Sequence, residues 1–356
     1  MSQIIHGNSD INGIPEITPV RPGHEFNQDA LASFLAETLG RRCKLKVRQF
    51  EGGQSNPTFL LDYGNDTYVM RKQPPGNLLP SAHQVHREFR VMAAMAGTDV
   101  PVPGMIVLCE DPEVIGTSFY VMEHVAGRVF SDPLLPTFTA DERTAIHEQM
   151  IDILAALHQV DYMHRELADF GRQGNYCARQ IARWTKQYLA SQTDDIADMD
   201  RLIAWLPRNL PEHDETTVVH GDFRLGNTIV HPEQPRIIAV LDWELSTLGD
   251  PLADLGYVCM DYHAARYSDE GSNRTNVAGI PGEAEQIARY CAGTNRQKPP
   301  NWRFYIVYNL FRGAAIIQGV YKRGLDGNAS SQLALTYADA CAQRAAVAWK
   351  LVEEAC

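Results

Sequence analysis

The sequence predicts an α+β fold in two lobes: a small N-terminal lobe built on a five-stranded antiparallel sheet with one helix, and a larger, mainly helical C-terminal lobe. Three observations predict it. Five short segments rich in β-branched and aromatic residues fall within the first 125 residues. Long amphipathic stretches at helical spacing dominate the remainder of the chain. The chain of 356 residues is also longer than one compact domain usually is, which favours two bodies over one.

In order along the chain, residues 1–26 read as a polar leader that wraps the surface or stays disordered. They lack the basic start and apolar centre of a signal peptide. "NQDALASFLAETL" from Asn27 has apolar residues at helical spacing, and Gly40 comes after it as a stop signal. "CKLKVRQF", "TFLLDY" and "NDTYVMRK" are three strands joined tightly, as in a meander. "SAHQVHREFRVMAAM" is a helix, with Ser81 as its expected N-cap. "GMIVLCED" and "TSFYVMEHV" supply the last two strands, separated by "PEVIG". The first lobe is therefore expected over 27–123 and the second over 124–356. The second lobe holds "DERTAIHEQMIDILAALHQV", "YCARQIARWTKQYLAS", "WRFYIVYNLFRGAAIIQGVYKR" and "LALTYADACAQRAAVAWKLVEEA" as helices.

A hydrophobic fraction of 44% with 21% charged residues is ordinary for a globular protein, and the formal net charge of -12 argues against a nucleic-acid binder that works through a basic surface. Anionic small ligands stay allowed, because a local group of Arg, metal ion or backbone N–H can hold phosphate inside an acidic protein. The seven cysteines are scattered with no CxxC pair, as expected for reduced thiols in the cytoplasm. No run reaches the roughly 20 apolar residues of a membrane span, so no membrane partner is expected.

The second lobe's helices are interrupted by "VVHGDFRLGNTIV", residues 218–230, and then "IIAVLDWE". Asp222 and Asn227 lie in a loop between two buried strands, and Asp242 comes after the next strand. A hairpin folding back brings Asn227 near Asp242. An amide oxygen and a carboxylate are hard ligands suited to Mg2+, which is commonly completed by substrate phosphates. Asp222 is then left to accept a hydrogen bond from a substrate hydroxyl. That division of labour suits phosphoryl transfer, in which positioning and charge neutralisation do most of the work. His220 has two readings, a core histidine bonding the loop backbone or a chemical group.

The run "HGDxxxxN" followed by "LDWE" resembles the aminoglycoside phosphotransferase and choline kinase-like group of small-molecule kinases, which share the two-lobed protein kinase-like fold. The likeness runs from about residue 28 to the end. It implies Mg-ATP as cosubstrate, Asp222 as the catalytic base or hydroxyl-orienting residue, and Asn227 and Asp242 as metal ligands. It implies a phosphate-binding cation on "YVMRKQ", where strand alternation favours Arg71 and a one-residue slip would make it Lys72. Arg is a departure from the usual Lys, but it is permanently charged and forked. Glu88 corresponds to the acid that orients this cation. Gly52, Gly53 and Ser55 in "EGGQSNPTF" stand where a phosphate loop is expected, and Glu123 and Val125 in "YVMEHVAG" where backbone groups meet adenine. Asp250 reads as an N-cap before Pro251, and Asp254 resembles the family acid that holds the catalytic loop from below.

The acceptor is expected among hydroxylated small molecules. "GGQSNPTFLL", "RKQPPG" and "FRGAAIIQGVYKRGLDGNASS" resemble the kinase-like domain carried by some acyl-CoA dehydrogenase proteins, which implies a hydroxyacyl-CoA. In the last stretch helical spacing puts Arg312, Ile316 and Gly319 on one face. The alternatives are an aminoglycoside or choline-type kinase, a catalytically silent nucleotide-binding module, and a dehydrogenase. The last would need flavin chemistry that nothing in the sequence supports, since the two lobes take up the chain.

Overall fold

A computed structural model of the chain describes residues 12–51, 56–74, 84–212, 215–263, 277–327 and 332–354. Strands β1 (Ile17–Thr18), β2 (Leu45–Phe50), β3 (Thr58–Tyr63), β4 (Asp66–Lys72), β5 (Met105–Cys109) and β6 (Phe119–Glu123) form one antiparallel sheet in the order β1-β2-β3-β4-β6-β5. The sheet thus has six strands and not the expected five. Ile17 and Thr18 of the supposed leader pair with Phe50 and Gln49 at its edge. Two residues are too few to show alternation, so the sequence carried no signal for this strand. The β3–β4 turn is tight because Gly64 adopts φ 66°, which costs a residue without Cβ little.

Strand alternation divides the lobe's core in two. On one face Phe59, Leu61, Met70, Phe119 and Val121 pack beneath Leu31 and Leu35 of helix α1 (Gln28–Thr38), whose N-terminus Asn27 caps through Ala30 N–H at 3.0 Å. On the other face Leu60, Val69, Tyr120 and Met122 meet Val91, Met92 and Met95 of α2 (Val85–Met95) and run on into the core of the second lobe. Helix α2 begins after Gln84, and the expected cap Ser81 lies outside the described residues. The "PEVIG" link is a one-turn helix, α3 (Pro112–Ile115), started by Asp111 and stopped by Gly116 at φ 88°.

The second lobe is helical as expected. Helices α4 (Ala140–His158), α5 (Tyr176–Ser191) and α6 (Ala197–Trp205) precede two small two-stranded sheets. One pairs β7 (Thr217–Val219) with β10 (Thr247–Gly249); the other pairs β8 (Thr228–Val230) with β9 (Ile237–Val240). Helix α7 (Pro251–Cys259) comes next, then α8 (Glu283–Thr294), α9 (Trp302–Leu325) and α10 (Ala340–Glu353). Helix α9 buries Tyr305, Val307, Leu310, Phe311 and Ala314, which explains its apolar sequence. No helix among the described residues is long and apolar enough to cross a membrane.

Candidate active site

The loop from His220 to Asn227 is held by a buried carboxylate beneath it. Asp254, on α7, accepts the His220 N–H at 2.6 Å and the Gly221 N–H at 2.9 Å. Burial works to raise its carboxyl, but the His158 imidazole 3.5 Å away and the His220 N–H hold it below the usual carboxylate range. Gly221 is required here: it sits at φ 82°, and a Cβ would lie 2.7 Å from the Leu245 carbonyl oxygen. His220 proves to be a core histidine. Its Nε2 lies 3.0 Å from the Leu241 carbonyl, its Nδ1 accepts the Asp222 N–H at 3.2 Å, and its ring packs 4.7 Å from that of Trp243. Those partners place the ring proton on Nε2.

Asp222 is buried and surrounded by donors. Asn227 Nδ2 donates to its main-chain oxygen at 2.8 Å and to Oδ2 at 3.0 Å. Arg224 Nε lies 3.3 Å from Oδ2, and the Tyr257 hydroxyl donates to Oδ1. The β8–β9 register sets Thr228 opposite Val240, and Leu241 N–H reaches the Asn227 carbonyl at 2.8 Å. Asn227 and Asp242 thereby flank the same end of one hairpin. Asp242 itself sits at φ 65° and opens a short 3-10 turn.

Across the cleft, alternation along β4 turns Arg71 inward and Lys72 outward. Arg71 Nη2 lies 2.8 Å from Asp242 Oδ1 and 3.7 Å from Glu244 Oε2, and Nε lies 3.4 Å from Glu88 Oε2. Lys72 is buried on the opposite face, 5.6 Å from the Phe26 ring. The cation beside Glu88 is therefore Arg71. Burial acts to lower its pKa, but Glu88 and Asp242 more than offset this, so the guanidinium stays charged. Burial pushes the Glu88 carboxyl up, against the pull of Arg71, the Tyr120 hydroxyl at 3.1 Å and Asn56 Nδ2 at 2.8 Å.

The structure thus links Arg71, Glu88, Asp222, Asn227 and Asp242 through one set of buried contacts and the end of one hairpin. Gly52, Gly53 and Ser55 lie outside the described residues. Glu123 and Val125 stand at the end of β6 and just beyond it, outside this ion-pair network; the Glu123 N–H is already taken by the Gly104 carbonyl at 2.7 Å. Asp250 caps α7 through Leu252 N–H at 2.9 Å, as Pro251 after it suggested. Three residues at the loop have no role that the sequence alone assigns. Tyr257 and Arg224 contact Asp222 directly, and Arg312 of α9 donates to the Gly221 carbonyl beneath the loop. Arg224 could have been found, since it sits inside the motif. Tyr257 carries no local signal, and the helical spacing that puts Arg312 on one face with Ile316 and Gly319 does not indicate its bond to the loop, because only packing brings α7 and α9 there.

Residues 46–305 match the phosphotransferase enzyme family. The chain is 44% identical over 346 residues to mouse (Mus musculus) acyl-CoA dehydrogenase family member 10, covering 95% of this chain and 32% of that protein. It is 44% identical over 338 residues to human (Homo sapiens) acyl-CoA dehydrogenase family member 11, covering 92% and 43%. The chain spans less than half the length of these relatives. A crystal structure of a Ralstonia eutropha JMP134 protein, provisionally called an aminoglycoside phosphotransferase, is 45% identical, with a TM-score of 0.85 over 93% of this chain and 99% of that one. A thermostable mutant of aminoglycoside phosphotransferase APH(4)-Ia in complex with ADP and hygromycin B shares the fold at 16% identity, with a TM-score of 0.58 over 90% and 98%.

Proposed function

Since the chain belongs to the phosphotransferase enzyme family and is a small-molecule kinase by that membership, we propose that it transfers the terminal phosphoryl group of Mg-ATP to a hydroxyl of a hydroxyacyl-CoA. The observation that carries the phosphotransfer reading is that Asp222 is bonded by Asn227, at the hairpin end that Asp242 shares, while Asp242 meets the buried Arg71–Glu88 pair of the first lobe. The acyl-CoA reading is supported by the relatives named as acyl-CoA dehydrogenase family members.

The residues fit a divalent cation of the magnesium type. Asn227 and Asp242 offer hard oxygen donors at one hairpin end. Among the described residues no group of three or more His, Cys, Asp or Glu side chains could hold a metal by itself, so phosphate oxygens would have to complete the shell, as Mg2+ prefers. When bound, the cation would neutralise charge on the phosphates. Arg71, kept charged and aimed by Glu88, would add a fixed cation on the nucleotide side.

Asp222 does the proton chemistry in this reading. Its carboxylate orients the acceptor hydroxyl and takes its proton as the new P–O bond forms. The loop beneath is rigid because Asp254 ties down two successive N–H groups, so the carboxylate keeps its place without reorganising.

Mass spectrometry of products from Mg-ATP with a panel of hydroxyacyl-CoAs, aminoglycosides, choline and sugars tests the proposal, with Asp222→Ala as the blank. A phosphorylated CoA ester is the expected product. Phosphorylation of an aminoglycoside or choline alone would refute the acceptor assignment and keep the kinase.

A further inference from the structure

The two carboxylate oxygens of Asp222 face different parts of the cleft. Oδ1 accepts from the Tyr257 hydroxyl of α7, and Arg312 of α9 stands 5.1 Å from the same Tyr257 ring. That is the side of the late helices. Oδ2 accepts from Asn227 and Arg224. Asn227 leads through the β8–β9 hairpin to Asp242, and Asp242 to Arg71. Arg224 therefore shares an Asp222 oxygen with Asn227, the residue whose hairpin leads to the residues assigned to phosphate.

Arg224 is only 4% exposed. Its Nε is spent on Asp222, while Nη2 is buried and donates to no group among the described residues. A buried N–H of a guanidinium without an acceptor is costly, so this guanidinium is one acceptor short of satisfied. The loop also makes room for the group. A Cβ at Gly226 would fall 2.3 Å from Arg224 Nη1, so any larger residue at 226 would push the guanidinium aside.

We infer that Arg224 is a further catalytic residue, which donates a hydrogen bond to the terminal phosphoryl group of the nucleotide as it passes to the acceptor. The inference rests on the kinase reading above and is independent of which acceptor is used. In the step, the bond from the terminal phosphorus to the bridging oxygen breaks and its electron pair leaves with ADP. A bond to the acceptor oxygen forms, and the acceptor's proton goes to Asp222. Arg224 keeps its own protons throughout. A forked, permanently charged donor is matched to the oxygens of a group in flight, where charge is spread over several of them.

The test is the affinity of AMP-PNP and of ADP, each with MgCl2, measured by titration calorimetry on the full chain. Arg224→Gln should weaken AMP-PNP by about 10-fold or more, the scale of one charged hydrogen bond, and leave ADP within about 2-fold. Arg224→Lys should recover part of the loss. Gly226→Ala keeps the charge but displaces it, and should behave like Arg224→Gln. Acceptor-free ATP hydrolysis by Arg224→Gln should fall about 100-fold in kcat, with KM for ATP rising in step with the loss of AMP-PNP affinity. Equal weakening of both nucleotides, or of neither, would overturn the inference. A wild-type protein that binds neither nucleotide would overturn the kinase reading and this inference with it. Failure to phosphorylate a hydroxyacyl-CoA would refute only the acceptor assignment, and the AMP-PNP and ADP affinities would still decide on Arg224.

Discussion

Replacing Arg71 with Met should expose the cost of the carboxylates gathered around it. The guanidinium lies 2.8 Å from Asp242, 3.4 Å from Glu88 and 3.7 Å from Glu244, and the Glu88 and Asp242 side chains are 1% and 2% exposed. Met keeps the apolar stem and removes the charge. Removing one partner of a buried ion pair costs about 3–5 kcal/mol, because the remaining charge is left in a poorly solvated place. With two buried carboxylates sharing one cation, Arg71→Met belongs at the upper end of that range, a large part of a typical domain stability of about 5–15 kcal/mol. The sign of the pH dependence is set by Glu88. Burial already raises its carboxyl, and loss of Arg71 must raise it further. The folded variant then holds a proton that the unfolded chain has released, so its stability falls as pH rises above the ordinary carboxylate range. The deficit relative to wild type should be small near pH 5 and complete at pH 8. Urea unfolding followed by tryptophan fluorescence at both values measures it. A deficit below about 1 kcal/mol at pH 8, or one that is the same at pH 5, would refute the account of Arg71 as charge compensation. Arg71→Lys should recover only part, because one ammonium cannot meet Glu88 and Asp242 with separate nitrogens.

The same geometry sets three further outcomes. Asp254→Ala strips the acceptor from the His220 and Gly221 N–H groups and should cost about 3 kcal/mol in urea unfolding, with turnover falling as the loop loosens. Asp250 is pushed up to about 6, chiefly by burial, despite its bonds from Tyr305 and Leu252; its folded form therefore retains a proton that the unfolded chain loses near pH 4, and wild type should lose stability relative to Asp250→Asn between pH 4 and 6, by up to about 3 kcal/mol, and hold a constant difference above that. Equal slopes for the two proteins across that window would contradict it. Asp222→Asn should leave nucleotide affinity nearly intact while lowering turnover about 10²–10⁴-fold; unaltered turnover in steady-state kinetics would remove Asp222 from its role.

The placement of the candidate residues was legible in the sequence where it is local. Asp222, Asn227 and Asp242 lie within one loop and one hairpin, and a strand pair with a tight return can hold them only in a few ways. The helical second lobe was legible for a similar reason, since the apolar stripe of each helix repeats over several turns. The first lobe was legible in its five longer strands. It was not legible at Ile17 and Thr18, which form a strand only because Phe50 and Gln49 present an open sheet edge to them.

Other features depended on packing between distant segments. Arg71 and Lys72 are adjacent, charged and both buried, and alternation says only that they point opposite ways. Which one faces Glu88 was decided by α2 lying on one side of the sheet and α1 on the other. Tyr257 is 35 residues from Asp222 and Arg312 is 91 from Gly221, and neither has a spacing that would join it to the loop. They reach the loop because α9 buries one face against α7, and their hydrogen bonds are a consequence of that packing. The sequence by itself determined the residue types and the local geometry of the loop; the tertiary structure decided which charged side chains meet, because the free energy of a buried charge depends on partners that chain distance does not reveal.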